Sequence, residues 1–330
     1  MDILKNLKKN TILLLGITVI VLFFILKDHF KDIVENLENI NLWYVLIALI
    51  FFLVSVFIKG LTNYMIINDK EKFPIKEAIS QNFIMQFFNG ITPFATGGEP
   101  MAVYMLKEQG FSLAKSTNFM VLSFIFYQIA LVIFGIIAVT YNAFFALFPE
   151  VKLLQHLVLI GFAINIVVVI LLLLSYSKRI TDKMSQISIK IARKIKLKLT
   201  DEEIAQKFED YHNGLKLVKT KKIIIVIGIT LNMISLFCLY MVPFWIIRGI
   251  GINNMNVMDT IVSSAYVYLI GAFVPVPGAS GGIEYGFTRF FGNFMAGDIV
   301  SAVVIVWRFI TYFLGIIIGA LLFNIRRRGE

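Results

Sequence analysis

Two long apolar segments of this sequence are each interrupted by the same six-residue pattern. The pattern Pro-x-Ala-(Ser/Thr)-Gly-Gly occurs at residues 93–98 as PFATGG and again at residues 277–282 as PGASGG. Proline and paired glycines break helices. Backbone groups left unpaired in a membrane are tolerated only where protein buries them or where they line a wet cavity. The two breaks therefore predict a cavity near the middle of a membrane.

The composition is that of a polytopic membrane protein, because 58% of the 330 residues are hydrophobic, well above the share in soluble domains. The lysines before residue 11 resemble the start of a signal peptide, but no small-residue cleavage site follows, so we predict a retained first helix. Six apolar runs are long enough, or nearly so, to span a membrane: Thr11–Leu26, Leu42–Ile67, Leu113–Thr140, Leu153–Tyr176, Ile223–Ile247 and Ile299–Asn324.

The broken segments, residues 75–106 and 260–291, are each too long for one crossing and too short for two. We therefore predict re-entrant hairpins, and the charge distribution favours the same solution. If both hairpins return to the side from which they entered, residues 177–222 lie on the inner side of the membrane together with both termini. Residues 177–222 contain 13 Lys and Arg. The outside then keeps few basic residues, as the positive-inside rule requires: Lys27, Lys31, Lys152 and Arg248.

The predicted fold is an all-α polytopic membrane protein with six spanning helices and two oppositely oriented re-entrant hairpins. Residues 1–330 form one membrane domain. Its repeat-like halves are residues 42–140, with hairpin 75–106, and residues 223–324, with hairpin 260–291, joined through the basic loop 177–222. Inverted repeats of broken helices place substrate sites near the midplane of transporters. A coincidental match in a glycine-containing apolar chain is the alternative.

Amphipathic stretches flank this core. Residues 28–41 predict a helix on the outer surface, and residues 177–199 predict one on the inner surface whose lysines reach the anionic headgroups of the inner leaflet. Thr200 and Glu203 predict a capping box that begins a second inner helix. We expect no nucleic-acid partner, because the basic loop lacks the aromatic and glycine pattern of an RNA-binding module.

Each Gly-Gly pair is followed by residues able to start a helix, and a helix N-terminus binds phosphate or carboxylate. The repeated motif therefore predicts an anion-binding cradle, with packing alone as an equal alternative. Its candidate residues are Pro93, Thr96, Gly97, Gly98, Pro277, Ser280, Gly281 and Gly282. Asn89 shares a helical face with Gln86, and this face either lines a hydrophilic path or satisfies the opened backbone.

Charged residues within membrane segments are candidates for function, and here they are Glu99, Glu284, Arg289 and Arg308. Each has a simpler explanation: Glu99 completes a capping box with Thr96, and Arg289 extends to the outer interface. Arg308 lies deepest, so we expect it to pair with a carboxylate such as Glu284 or with a substrate phosphate. Lys59, near an inner boundary, is interpreted as an interfacial residue.

Soluble-type enzyme chemistry has no support in the sequence. There is no G-x-S-x-G, H-E-x-x-H or Walker motif, and Cys238 is the single cysteine. We expect no metal and no cofactor.

The residues around the breaks resemble a known family. The runs NGITPFATGGEP at residues 89–100 and PVPGASGGIE at residues 275–284 are similar to the membrane domain of lysylphosphatidylglycerol synthase/flippase proteins. In two-module members this domain is a flippase for aminoacylated phosphatidylglycerol, and a cytoplasmic C-terminal domain transfers lysine from lysyl-tRNA to the lipid. The present sequence ends just past its last predicted span, so we do not expect lysyl transfer by this chain.

The resemblance implies a flippase that moves a lysylphosphatidylglycerol-like headgroup from the inner to the outer leaflet. Helix N-termini and Arg308 would hold the phosphate, while Glu284 and Glu99 would hold the lysyl group. The implied partners are the phospholipid and a separately encoded aminoacyl-lipid transferase, and association with a second copy of the chain is left open. The Lys-, Ile-, Asn- and Phe-rich composition indicates the cell membrane of a prokaryote. Three alternatives stay open: a phosphatidylglycerol lysyltransferase or its membrane subunit, a transporter of a polyprenyl-phosphate-linked amphiphile or a small anion, and a structural scaffold.

Overall fold

The computed structural model describes residues 30–67, 73–148, 152–174, 177–194, 200–206, 208–209, 212, 222–271 and 274–328, and within these ranges all regular secondary structure is helical. The helices are α1 (Phe30–Glu38), α2 (Leu42–Ile67), α3 (Ile75–Gly90), α4 (Gly98–Glu108), α5 (Leu113–Phe145), α6 (Lys152–Leu174), α7 (Lys178–Lys194), α8 (Lys222–Tyr240), α9 (Val242–Gly249), α10 (Val257–Gly271), α11 (Gly282–Phe291), α12 (Gly297–Arg308) and α13 (Leu314–Arg328). Short 3-10 turns lie at Pro93–Ala95 and Pro277–Ala279, and a π-helical turn at Phe309–Phe313 joins α12 to α13.

Four of the six predicted spans are confirmed as helices long and apolar enough to cross a membrane: Leu42–Ile67, Leu113–Phe145, Ile223–Gly249 and Gly297–Arg327. The predicted span at residues 153–176 is helix α6, whose apolar part, Leu154–Ile170, is shorter than these four. The predicted span Thr11–Leu26 lies outside the described residues. The long helices expose large apolar side chains such as Phe57 and Ile136, which suits contact with lipid. The chain is a multi-pass membrane protein.

The first broken segment, α3 and α4, folds back on itself. Gln109 Nε2, just after α4, donates a hydrogen bond to Glu77 Oε2 in the first turn of α3, at 3.0 Å. The same Glu77 oxygen accepts from Arg326 Nη1 near the end of α13, at 2.8 Å. Arg326 Nε also lies 3.7 Å from Glu108 Oε2. Both ends of this segment therefore lie together, beside the end of α13.

The second broken segment, α10 and α11, folds back in the same way. Asn254 Nδ2, just before α10, donates to the backbone oxygen of Phe294, just after α11, at 2.9 Å. Phe294 lies only a few residues before the start of α12. Because Gly297–Arg327 is one continuous helix, its start and end lie at opposite ends of the bundle. The joined ends of the first broken segment therefore lie at one end of the bundle, and those of the second lie at the other end.

The two halves of the chain pair their helices by the same rule. Helix α2 packs against α8, so that the first span of one half contacts the first span of the other. The broken segment of each half packs against the last span of the opposite half, α3 against α13 and α10 against α5. The 3-10 turns of the two broken segments, Pro93–Ala95 and Pro277–Ala279, contact each other.

Aromatic residues fix α11 and α12 next to the second break. The rings of Phe287 and Phe291 stack with centroids 4.0 Å apart, and Phe287 contacts Trp307 at 4.7 Å. All three side chains are buried, and ring contacts of this kind add to the free energy gained by apolar burial. The residue after Trp307 is Arg308, so this packing also fixes its position.

The predicted inner helices are present in the described residues. Helix α7 exposes Met184, Ile187 and Ile191, as a helix lying in a membrane surface would. The predicted capping box is confirmed, because Glu203 Oε2 accepts from Thr200 N at 2.9 Å and Thr200 Oγ1 accepts from Glu203 N at 3.2 Å. The outer amphipathic stretch forms α1.

Candidate functional site

The two breaks share an unusual backbone shape. In the first break (residues 91–97), Phe94 and Ala95 have φ of 54° and 51°. In the second break (residues 274–281), Gly278 and Ala279 have φ of 64° and 52°. The same two motif positions are therefore left-handed in both copies, although three of the four residues carry side chains that disfavour it. The repeated left-handed conformation argues against a coincidental match and makes the two breaks the candidate functional site.

The breaks touch one another. Every Cα atom of Pro93–Ala95 lies within 8 Å of every Cα atom of Pro277–Ala279. Tyr312, from the π-helical turn, joins them, because its hydroxyl donates to the backbone oxygen of Gly90 at 2.9 Å. A Cβ atom on Gly278 would lie only 2.1 Å from that hydroxyl oxygen. Gly278 is thus glycine because Tyr312 occupies the space of a side chain.

The first break is held by neutral hydrogen bonds from α3 and its end. Asn89 Oδ1 accepts from Gly98 N at 2.6 Å, and Thr92 Oγ1 accepts from Gly97 N at 2.9 Å. A Cβ atom on Gly98 would lie 2.6 Å from Asn89, so the glycine allows this close approach. With Pro100 carrying no N–H, most donors at the start of α4 are already used or missing. The predicted anion cradle is therefore largely filled here by the protein's own side chains.

The second break is held by an ion pair. Glu284 Oε2 accepts from Gly281 N at 2.7 Å, and its other oxygen accepts from Arg308 Nε at 2.6 Å. Arg308 Nη2 also donates to the backbone oxygen of Gly278 at 3.0 Å, and its guanidinium lies 4.5 Å from the centre of the Tyr312 ring. Of the two partners predicted for Arg308, the carboxylate is the one present.

A cavity of about 490 Å³ lies against both breaks. Residues of α2–α6, α8 and α10–α12 form its walls, and the left-handed residues Phe94, Ala95, Gly278 and Ala279 contribute from the breaks. Its charged residues are Lys59, Glu99 and Arg308. The uncharged polar residues of the wall are Ser55, Gln86, Asn89, Ser123, Tyr127, Gln128, Asn165, Ser235, Tyr268, Thr311 and Tyr312. The cavity is therefore polar in part and carries charges of both signs.

Lys59 and Glu99 face this cavity without a direct ionic partner. Lys59 Nζ lies 4.6 Å from the centre of the Tyr127 ring, and Glu99 acts electrostatically on both residues. In the described part of the chain, no salt bridge or hydrogen bond involves the side chain of either Lys59 or Glu99. The capping box considered for Glu99 is absent, because Thr96 Oγ1 donates to the Pro93 oxygen at 3.0 Å and Gly97 is the cap residue.

The remaining predicted site residues lie around the cavity or outside it. Asn89, Glu99 and Arg308 line the wall, with Glu284 bound to Arg308. Gly97, Gly98, Pro277, Ser280, Gly281 and Gly282 form the backbone of the breaks, while Pro93 and Thr96 are exposed. Arg289 is also exposed and lies 5.3 Å from the centre of the Tyr285 ring, outside the cavity wall.

Two residues were not predicted to belong to this site. Lys59 was interpreted as interfacial, and it instead lines the cavity with its side chain half-buried. Tyr312 is a lone tyrosine in an apolar span and was not singled out. The one indication in the sequence is its spacing of four residues from Arg308, which places both residues on one helical face.

Comparison with known proteins agrees with this arrangement. The sequence profile of the lysylphosphatidylglycerol synthase TM region matches residues 11–319, which include both breaks and the cavity wall. A UPF0104 membrane protein of Archaeoglobus fulgidus is 24% identical over 257 residues, covering 72% of this chain and 72% of that protein. The resemblance expected from the motifs is confirmed. The chain belongs to the family of the lysylphosphatidylglycerol synthase transmembrane region.

Proposed function

We propose that this chain is a flippase-like transporter that moves the headgroup of an aminoacylated phospholipid, of the lysylphosphatidylglycerol type, from the inner to the outer leaflet. The observation that carries the proposal is the cavity of about 490 Å³ against two touching breaks, with residues of both charge signs in its wall. A lipid headgroup with a phosphate and an amine needs both signs for recognition.

The proposed membrane arrangement has six spans, and the two broken segments are re-entrant hairpins inserted from opposite sides. Its support is that each segment has its own two ends joined by hydrogen bonds, Gln109 to Glu77 and Asn254 to Phe294. The basic loop supports a cytoplasmic location for the first hairpin and both termini through the positive-inside rule. The hairpins then form an inverted repeat in one domain.

The position of the cavity supports pickup from the inner leaflet. Lys59 lies in the last third of α2, and Met120 and Ser123 lie near the start of α5. In the proposed orientation both places are on the cytoplasmic side of the breaks. A headgroup entering from the inner leaflet would reach the cavity first and would pass between the breaks, while its acyl chains stay in lipid.

The test is transport by the purified protein in liposomes. Lipids labelled on an acyl chain keep their natural headgroup, and a reductant that cannot cross the membrane reports how fast they reach the outer leaflet. We expect lysylphosphatidylglycerol to move faster than in protein-free liposomes. Equal rates with and without folded protein would contradict lipid transport and favour the polyprenyl-phosphate reading, for which a labelled polyprenyl phosphate serves as the second substrate.

A further inference from the structure

Two oppositely charged couples lie at the cavity: Lys59 with Glu99, which both line it, and Arg308, which lines it, with Glu284, which does not. Only the second couple forms an ion pair. Arg308 and Glu284 are in contact at 2.6 Å, with their side chains 8% and 9% exposed. Arg308 Nη2 also donates a hydrogen bond to the backbone oxygen of Gly278, and the second carboxylate oxygen of Glu284 accepts one from Gly281 N. The charges of this couple compensate one another, and their directional bonds are already made to the protein. This couple therefore holds the second break and has little left to offer a ligand.

Lys59 and Glu99 form the other couple, in which the two side chains do not bond to each other. Both line the cavity, and each makes neither a salt bridge nor a hydrogen bond through its side chain in the described ranges. The Lys59 ammonium group instead makes a cation–π contact with the Tyr127 ring, whose centre lies 4.6 Å from Nζ. A cation–π contact contributes much less than it costs to remove an ammonium group from water. Two opposite charges in one cavity that stay apart are best explained by a third group that binds between them.

We propose that Lys59 and Glu99 are the headgroup-binding pair of this protein, Lys59 for the phosphate and Glu99 for an ammonium group, and that they select headgroups that carry both groups. This inference rests on the proposed transport function and names its substrate class. Among the described residues of the cavity wall, the free cation matches a phosphate and the free carboxylate matches an amine. A headgroup with no amine leaves Glu99 unpaired.

Three lipids with acyl-chain labels differ in the number of amines in the headgroup: phosphatidylethanolamine has one, phosphatidylglycerol none and lysylphosphatidylglycerol two. In liposomes containing the whole protein, we expect phosphatidylethanolamine to move about tenfold faster than phosphatidylglycerol, the effect of one charge-assisted hydrogen bond. Lysylphosphatidylglycerol, which also carries an amine, should move faster than phosphatidylglycerol too. Equal rates for the three lipids would overturn the proposed selectivity.

Single substitutions separate the two roles if the pair binds the headgroup. Glu99→Gln should slow both amine-containing lipids about tenfold and leave phosphatidylglycerol unchanged. Lys59→Met should slow all three lipids by a similar factor, because each carries a phosphate. Glu202→Gln and Lys115→Met, which change exposed residues outside the cavity wall, serve as matched controls and should change nothing. If Glu99→Gln slows phosphatidylglycerol as much as the amine-containing lipids, or if Lys59→Met slows none of the three, the inference is wrong.

A binding measurement separates this inference from the transport proposal. Short-chain phosphatidylethanolamine is added to the protein in detergent, and the melting temperature is recorded. If no lipid moves in liposomes but this lipid raises the melting temperature of the natural protein and of neither cavity variant, transport fails and the binding pair stands. If the variants are stabilised as strongly as the natural protein, the binding pair is overturned.

Discussion

Arg308 and Glu284 form an ion pair, 2.6 Å from Nε to Oε1, that ties the second break to the helix carrying Tyr312. The first break has no such pair and is held by neutral hydrogen bonds from Asn89 and Thr92. The two copies of the motif therefore have the same backbone shape but different supports. The stronger support lies at the second break, while the exposed Phe94, at 57%, lies at the first.

Breaking the ion pair should destabilise the protein. Arg308→Met or Glu284→Leu leaves one buried charge uncompensated, and we expect each to cost about 3–5 kcal/mol of the free energy of unfolding. The double variant Arg308→Met/Glu284→Leu removes both charges and should lose less than the sum of the two. Thermal unfolding in detergent measures all three, with the exposed Arg179→Gln as control. Additive losses would mean that the pair is not coupled.

Removing the Tyr312 hydroxyl should loosen the contact between the breaks. Tyr312→Phe keeps the ring on Arg308 but deprives the Gly90 oxygen of its donor, a loss of about 1 kcal/mol. Hydrogen–deuterium exchange should rise at both breaks, residues 91–97 and 274–281. Faster exchange confined to α13 would show that the hydroxyl does not join the breaks.

A methyl group at Gly278 should be poorly tolerated. Gly278 has φ of 64°, and an added Cβ would lie 2.1 Å from the Tyr312 hydroxyl oxygen. We expect Gly278→Ala to cost about 2 kcal/mol or more, from strain and displacement of the ring. Gly297→Ala, where no heavy atom lies within 4 Å, should change stability by less than about 0.5 kcal/mol. Equal melting temperatures for the two variants would contradict this packing.

The proposed opposite insertion of the hairpins predicts which side of the membrane each end faces. In a Cys238→Ala background, Lys76→Cys and Lys107→Cys mark the ends of the first hairpin, and Asn254→Cys and Asn293→Cys mark the ends of the second. All four positions are exposed. A reagent that cannot cross the membrane should label the second pair in intact cells, and the first pair only after the cells are opened. A hairpin labelled once from each side would be a crossing.

The sequence was informative where local rules decide the structure. Apolar length predicted six spans, of which four are confirmed, and the predicted Thr200–Glu203 capping box depends on residues only three apart. The pairing of Arg308 with Glu284 was one of two alternatives, and it became clear only from α11 packing on α12. The prediction for Lys59 missed the cavity, because the position of Lys59 beside the first break depends on how α2 packs against α3 and α5. That geometry is tertiary and leaves no local pattern in the sequence.

The measurement that tests the central claim most directly is lipid movement with the two breaks linked. Cysteines replacing Ala95 and Ala279, whose Cα atoms lie within 8 Å of each other, are joined by a short reducible cross-linker in the Cys238→Ala background. The acyl-labelled lipid assay is then run before and after reduction. The account predicts movement at the protein-free rate while the link is intact and recovery on reduction. Equal rates in the linked and reduced protein, with linkage verified by mass, would contradict passage of the headgroup between the breaks.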